Sequence, residues 1–208
     1  MKVTEPQIVA QTLCVIDKSA SMASDDYQPS RLEAAKAASL ELVQVTARQR
    51  PQDQVGIIGF DSNADLIVPL SPVTNVFAFQ AGIRLLQPGT ATDFANALML
   101  ASQVFAAQSR PRLFSRQQPC HRRRIIFLSD GQHNSTCDPL SAVSTLKSSG
   151  VVIECLGIGG TPQDVDERLL KLMASIGPDG KPMYRFLKDR KSLLQEFRKK
   201  ALLQVIDG

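Results

Sequence analysis

The stretch that decides the fold is LCVIDKSAS, residues 13–21, in which four apolar residues run into an acidic residue and two serines. A short apolar run rich in Val and Ile is typical of a strand that is covered on both faces. Similar runs occur at residues 55–60, 125–128 and 151–158. Because helical segments separate most of these runs, the order predicts a doubly wound α/β fold with a largely parallel sheet and helices on both faces.

One connection breaks the alternation of strands and helices. Residues 55–60 are followed by a polar turn at residues 61–63 and then by residues 64–70, which leaves no room for a helix. This pattern predicts a hairpin, so that the second of its strands runs antiparallel. Pro69 lies near the end of that strand and has no N–H to donate, which places the strand at an edge of the sheet.

Polar capping residues mark where four helices are expected to begin. Ser and Asp side chains accept hydrogen bonds from the free N–H groups of a first helical turn, and Pro is favoured there because it lacks an N–H. The expected starts are Ser30 with Glu33 three residues later, Asp138-Pro139, Thr161-Pro162 and Asp189. The third of these helices is predicted to continue through Met173, and the last to pack an amphipathic face on the sheet.

Composition restricts the class of protein. The chain has 208 residues, of which 43% are hydrophobic and 21% charged, and this is ordinary for one globular domain covering residues 1–208. The net charge of +4 is too small to indicate nucleic-acid binding. No apolar run reaches the roughly 18 residues of a membrane helix. Lys2, Glu5 and Pro6 interrupt the region where a signal peptide is apolar, so we expect a cytoplasmic protein.

Polar residues that could hold a metal follow two of the expected strands. Asp17, Ser19 and Ser21 come directly after the first, and Asp130 follows the strand at residues 125–128. In an open α/β sheet, ligands bind beyond the carboxyl ends of the strands. Hydroxyl and carboxylate oxygens are hard ligands that suit Mg²⁺, Mn²⁺ or Ca²⁺. If the two strands are neighbours, both carboxylates face one crevice and need a cation or a proton.

A third loop, residues 89–98, supplies further hydroxyls. It reads GTATDFANAL and leads into a helix, whose free N–H groups favour an incoming anion. Either Thr90 or Thr92 is placed to contribute an oxygen to the same crevice.

These motifs together resemble the von Willebrand factor A domain family. The shared features are D-x-S-x-S at the end of a strand, a Gly-Thr loop, and an apolar strand ending in Ser-Asp-Gly, and the resemblance covers the chain from about residue 8 to residue 205. It implies a Rossmann-like fold with a six-stranded, mostly parallel sheet and one antiparallel edge strand. It also implies a metal-ion-dependent adhesion site.

The resemblance further implies a role for each matching residue. Ser19 and Ser21 would bind the metal directly, and Asp17 and Asp130 directly or through water. Thr92 matches the family threonine best, with Thr90 as the alternative. The expected metal is Mg²⁺, or Mn²⁺ or Ca²⁺ in its place. An Asp or Glu of a partner protein would complete its coordination, which implies a binding module and not an enzyme.

Two other functions are compatible with parts of the sequence. An aspartyl-phosphate hydrolase also places an Asp at the end of its first strand, but a second Asp is expected two positions later, where this chain has Ser19. No Gly-x-Ser-x-Gly motif supports a serine hydrolase. A regulatory or adaptor role beside a larger ATPase, or in a kinase–phosphatase system, is the other alternative.

Two further clusters are weaker candidates. Cys120, His121, His133 and Cys137 contain zinc-binding residue types, although their spacing matches no common zinc motif. Six arginines lie between Arg110 and Arg124, in a stretch expected to be irregular over residues 109–121. They suit a phosphate-rich or acidic partner, but the scarcity of aromatic residues favours a solvated loop that precedes a strand.

Overall fold

The computed structural model describes residues 8–108 and 120–203, and in these residues six strands alternate with helices. The strands are β1 (Ile8–Asp17), β2 (Gln54–Phe60), β3 (Ala64–Pro72), β4 (Cys120–Ser129), β5 (Val151–Ile158) and β6 (Tyr184–Leu187). The α-helices are α1 (Arg31–Gln49), α2 (Val76–Arg84), α3 (Phe94–Gln108), α4 (Pro139–Ser148), α5 (Glu167–Met173) and α6 (Arg190–Leu202). Within these described ranges, no helix is long and apolar enough to cross a membrane.

The strands form one six-stranded sheet in the order β3-β2-β1-β4-β5-β6. The pair β2 and β3 is antiparallel and the other pairs are parallel, which confirms the predicted fold class and the edge hairpin with Pro69. Because β1 and β4 are parallel neighbours with Ile16 opposite Leu128, both strands end at the same edge of the sheet. The residues that follow them therefore lie side by side.

Alternation along the strands divides the core into two layers. In β1, Cys14 and Ile16 belong to one apolar cluster, whereas Leu13 and Val15 belong to the other. The first cluster includes buried residues of α1, α2 and α6, and the second includes buried residues of α3, α4 and α5. Burial on both faces explains why the central strands are apolar at consecutive positions.

Three of the four expected helix starts are confirmed by their caps. Ser30 Oγ accepts the Glu33 N–H at 3.1 Å. Asp138 Oδ1 accepts the N–H of Leu140 at 2.9 Å, and Asp189 Oδ1 accepts that of Ser192 at 2.7 Å. Each bond satisfies one of the free donors at a helix N-terminus.

The prediction of a helix from Thr161 through Met173 was wrong about the residue at which the helix begins. Thr161 and Asp164 form a capping box, but it opens only a short 3-10 helix at Pro162–Asp164. Val165 is then extended, with φ −112° and ψ 154°, which interrupts the helical path. Asp166 provides a second cap by accepting the Leu169 N–H at 2.9 Å, and α5 begins at Glu167.

The sequence patterns did not locate strand β6 or helix α2, although the family resemblance implies a sixth strand. Strand β6 is four residues long and lies at the open edge beside β5, with only Leu187 buried among its residues. Helix α2 follows the edge hairpin, and its Phe79 and Ile83 side chains are buried in the first apolar cluster. Short edge elements bury few side chains, so they lack the apolar runs that reveal central strands.

The arginine-rich segment from Arg110 to Arg124 lies partly in strand β4 and partly outside the residues that the structure describes. Strand β4 begins at Cys120, five residues before the apolar run, so that Arg122 to Arg124 belong to the strand and not to a solvated loop. Arg124 is buried, and its Nε donates to Thr12 Oγ1 at 3.0 Å. The expected irregular stretch lies largely outside the described residues, as do Arg110, Arg112 and Arg116.

Candidate metal centre

Three loops meet at the carboxyl edge of the sheet, and backbone hydrogen bonds join them. The Ala20 N–H in the loop after β1 donates to the Thr90 carbonyl at 3.1 Å. The Asn134 N–H in the loop after β4 donates to the Thr92 carbonyl at 2.9 Å. The segment before α3 is thus held between the loops that follow β1 and β4.

A close approach at Gly89 fixes this segment against the edge hairpin. A Cβ atom at Gly89 would lie 1.8 Å from Asp61 Oδ2, so no larger residue fits there unless the Asp61 side chain is displaced. Asp61 is itself held by Lys18, whose Nζ lies 2.9 Å from the same oxygen. The glycine of the Gly-Thr motif is therefore required because it leaves room for the Asp61 side chain, in addition to the hydroxyl that the motif supplies.

Asp17 lies at the base of the site and is fully buried. Its Oδ1 accepts the Ser19 N–H at 2.8 Å, and its Oδ2 accepts the Ser129 hydroxyl at 2.6 Å. Burial and, to a smaller extent, the nearby charge of Asp130 raise the pKa of Asp17 to about 7, against the effect of these hydrogen bonds. A carboxylate in this position favours a nearby cation, because its negative charge is poorly solvated.

Ser19, Ser21 and Asp130 form a chain of oxygens above Asp17. Ser19 Oγ lies 3.1 Å from Ser21 Oγ, and the Ser21 hydroxyl donates to Asp130 Oδ1 at 2.8 Å. Ser19 and Asp130 are each only 2% exposed, whereas Ser21 is open to solvent. These oxygens therefore lie in a row at hydrogen-bond distances, and solvent reaches the row at Ser21.

The two threonines of the third loop point in different directions. A Cβ at Gly131 would lie 3.4 Å from Thr92 Oγ1 and 3.8 Å from Ser21 Oγ, so both hydroxyls border the same small space. The Thr90 hydroxyl instead bonds Ser62 Oγ at 2.8 Å, on the side of the edge hairpin. Of the two threonines that the sequence left open, Thr92 faces the site.

The sequence predictions missed Arg31, which contacts the site directly. Its Nη1 donates to Asp130 Oδ2 at 2.8 Å, and its Nε and Nη2 donate to the two oxygens of Asp26 at 2.8 and 2.7 Å. Burial raises the pKa of Asp130, and the Arg31 charge opposes that rise. One signal was available, because a cation in the first turn of a helix opposes the helix dipole unless an acid faces it.

The donor set fits a hard divalent cation. Three hydroxyls and two carboxylates border the site, with no nitrogen or sulfur among the candidate ligands, and such oxygens suit Mg²⁺, Mn²⁺ or Ca²⁺. Across residues 8–108 and 120–203, no three His, Cys, Asp or Glu side chains are grouped to hold a metal. The candidate site needs only two such side chains, since hydroxyls provide its other oxygens.

The four zinc candidates do not come together. Cys120 and His121 begin β4, whereas His133 and Cys137 follow its other end, which separates the pairs by roughly 30 Å of strand. His133 instead joins two loops of the candidate metal site. Its Nδ1 accepts the Phe94 N–H at 3.2 Å, and its Nε2 lies 2.7 Å from the Cys137 carbonyl oxygen.

Comparison with known proteins finds the same fold and a related sequence. A UPF0353 protein from Mycolicibacterium paratuberculosis is 34% identical over 185 residues, which cover 80% of this chain and 53% of that protein. The chain thus spans about half the length of this curated relative. A von Willebrand factor type A protein from Catenulispora acidiphila superposes with a TM-score of 0.74 at 19% identity, over 93% of this chain and 42% of that one.

A second structural neighbour carries a metal at its own site. Proximal thread matrix protein 1 from the mussel byssus, solved with its MIDAS motif occupied by zinc, superposes with a TM-score of 0.71. It is 19% identical, and the match covers 94% of this chain and 48% of that protein. At such identities the likeness establishes the shared fold. The sequence itself establishes the family, because residues 12–132, more than half of the chain, match the von Willebrand factor type A domain, and the chain belongs to that family.

Proposed function

We propose that the chain is a metal-ion-dependent protein-binding module, in which an acidic residue of a partner completes the coordination of a divalent cation. The observation that carries the proposal is the continuous run of oxygens from Ser19 Oγ through Ser21 Oγ to Asp130 Oδ1, at successive distances of 3.1 and 2.8 Å. The run lies where ligands bind in open α/β sheets. The family of the chain, whose members commonly mediate protein interactions, supports this assignment.

The balance of neutral and charged oxygens explains the preference for an acidic partner. Ser19, Ser21 and Thr92 would hold the cation through uncharged hydroxyls. Asp17 and Asp130 already accept hydrogen bonds on both of their oxygens, so they would act from behind or through water. A bound cation supplies an electrophilic position that attracts a carboxylate. The chain's own ligands would leave much of the charge of a bound cation unneutralised, so an Asp or Glu of a partner is the matching ligand.

We propose Mg²⁺ as the resident ion, with Mn²⁺ or Ca²⁺ able to replace it. The reason is the chemistry of the ligands, which are all oxygens, whereas zinc sites usually contain nitrogen or sulfur. Zinc at the MIDAS motif of the mussel protein means that Zn²⁺ should be included as a competitor in any titration.

Burial of Asp17 argues against a hydrolase. In an aspartyl-phosphate mechanism, this carboxylate would attack phosphorus and therefore needs an open path to the substrate. Asp17 is fully buried, and its Oδ1 accepts the Ser19 N–H while its Oδ2 accepts the Ser129 hydroxyl. Ser19 also replaces the second Asp that such an enzyme would use as its general acid. These features favour recognition over reaction.

The metal is tested by calorimetric titration of metal-stripped protein with Mn²⁺ and with Mg²⁺. We expect one site in the wild type and none in the Ser19→Ala, Ser21→Ala double variant. Thermal unfolding in EDTA checks that the variant is folded. Equal binding by the wild type and the double variant would mean that the metal binds elsewhere, which would contradict the proposed site.

The acidic partner is tested with a displayed library of random peptides. We expect peptides that bind in Mn²⁺ and elute with EDTA to share an Asp or Glu at one position, because only a carboxylate matches the exposed charge of the cation. The double serine variant is the control and should enrich no such peptides. Enrichment that is indifferent to EDTA, or peptides without a shared acid, would contradict the proposed mode of binding.

A further inference from the structure

Arg31 is a fixed cation beside the candidate metal site. It is the first residue of α1 and is only 9% exposed. Its Nη1 donates to Asp130 Oδ2 at 2.8 Å, while the other oxygen of that carboxylate accepts the Ser21 hydroxyl at 2.8 Å. A metal at the site would therefore share the Asp130 carboxylate with a guanidinium that is already in place.

The contacts of Arg31 with Asp26 fix the direction of its charge. Two parallel hydrogen bonds, at 2.8 and 2.7 Å, hold the guanidinium plane so that the remaining nitrogen faces Asp130. The Asp26 side chain is 31% exposed, whereas that of Asp130 is fully buried. Asp164 Oδ2 also lies 3.8 Å from Arg31 Nη2, and its side chain is 37% exposed. Solvent screens these two pairs more than the pair with Asp130, so Asp26 and Asp164 offset only part of the charge that Arg31 directs into the site.

We infer that Arg31 is a positioning residue that makes metal binding depend on an acidic ligand. By pairing with Asp130, it withholds part of the negative charge that would otherwise balance a divalent cation, and it stops that carboxylate from turning both oxygens to the metal. The site therefore holds a cation weakly by itself and strongly when an external carboxylate arrives. This inference rests on the proposed function, because it concerns how the same site couples its two ligands.

The test compares Mn²⁺ binding by wild type, Arg31→Gln and Arg31→Lys, each measured in chloride and in acetate at matched ionic strength. We expect Arg31→Gln to bind Mn²⁺ alone about tenfold more tightly, because a nearby unit charge that repels the metal is gone. Arg31→Lys keeps the charge and should stay within about threefold of wild type. Acetate should tighten Mn²⁺ binding by the wild type and should tighten it less in Arg31→Gln.

A second pair of variants tests the same inference if Arg31→Gln does not fold, which thermal unfolding in EDTA would reveal. Asp26→Asn removes the acid that accepts two hydrogen bonds from Arg31 and should weaken Mn²⁺ binding by about threefold, because more of the Arg31 charge then reaches the site. Asp25→Asn is the matched control. It removes an equal charge from the adjacent residue, which is exposed like Asp26, and should have a smaller effect because the bonds between Arg31 and Asp26 are kept.

The outcomes separate this inference from the proposed function. If the wild type binds Mn²⁺ but Arg31→Gln binds it equally or more weakly, Arg31 serves only the structure and the inference fails while the metal site stands. Equal affinities in Asp26→Asn and Asp25→Asn would also overturn it. If the wild type binds no Mn²⁺ in chloride or in acetate, the proposed function fails and this inference fails with it.

Discussion

Two clusters of buried charge lie in the same sheet and are built in opposite ways. Midway along β4 and β5, Glu154 on β5 accepts a hydrogen bond from Lys200 of α6 and lies 3.6 Å from the Arg124 guanidinium, and Lys200 also lies 3.3 Å from Glu196, so two buried carboxylates face two buried cations. At the carboxyl edge, Arg31 reaches Asp130, whereas Asp17 accepts its hydrogen bonds from a backbone N–H and a neutral hydroxyl. The first cluster is balanced and the second is short of positive charge.

The difference teaches where in this fold a cation would bind. Where acids and bases are matched, the pairs hold α6 against β4 and β5, and the charges have no need of an outside ion. Where two carboxylates lie beside one guanidinium, burial raises the pKa of Asp17 to about 7, and burial also raises the pKa of Asp130 above its usual range. A raised acid pKa means that the ionised form is disfavoured, and a nearby cation would offset this, which supports our proposal that the metal binds at the second cluster.

The largest expected effect comes from breaking the balanced cluster. Glu154→Ala leaves Arg124 and Lys200 buried without this partner and should lower the free energy of unfolding by about 3–5 kcal/mol. The measurement is urea unfolding in EDTA. The control is Glu41→Ala, which removes the acid of the more exposed pair with Arg198 and should cost about 1 kcal/mol or less. Equal losses in the two variants would show that burial of the network contributes nothing.

An intermediate effect should distinguish the two threonines at the unbalanced cluster. Thr92→Ala removes a hydroxyl that borders the site and should weaken Mn²⁺ binding by about tenfold or more, which is ~1.4 kcal/mol. Thr90→Ala removes the bond to Ser62 and should leave the Mn²⁺ affinity within about twofold. Calorimetry on both variants decides between them. The reverse order of affinities would make Thr90 the ligand.

The smallest effect on stability is expected at Asp17, although it lies at the heart of the site. Asp17→Asn should abolish Mn²⁺ binding, yet change the free energy of unfolding in EDTA by about 1 kcal/mol or less, because the Ser129 hydroxyl can rotate to accept from the amide. Asp17→Ala should cost more, about 1–3 kcal/mol, since it leaves the donors of Ser19 and Ser129 without an acceptor. If Asp17→Asn lowered the free energy of unfolding as much as Glu154→Ala does, the two clusters would not differ in their contribution to stability.

Much of the fold was predictable because its signals are local. Apolar runs identify buried central strands, the short gap at residues 61–63 forces a hairpin, and caps such as Ser30 and Asp138 satisfy donors within the same turn of chain. The failures arise where a local signal competes with another or is absent. Thr161 has every feature of a helix start, but extended Val165 and the second cap at Asp166 follow it.

The candidate site divides in the same way. Asp17, Ser19 and Ser21 are close in sequence, so their convergence follows from the loop that carries them. The contact between Ser21 and Asp130 spans 109 residues, and it depends on β4 pairing with β1. The sequence predictions included Asp130 because it ends an apolar strand, but they missed Arg31, whose acidic partners follow only from the arrangement of the loops.

By itself, the sequence determined the class of fold, the edge at which polar residues collect, and the oxygen character of the candidate ligands, since these depend on residue type and on patterns within a few turns of chain. The tertiary structure alone decided that Thr92 and not Thr90 faces the site, that Asp17 is fully buried, and that Arg31 shares Asp130. The physical reason is that burial and charge balance are properties of neighbours in space. Residues far apart in the chain become such neighbours only when the strands pair.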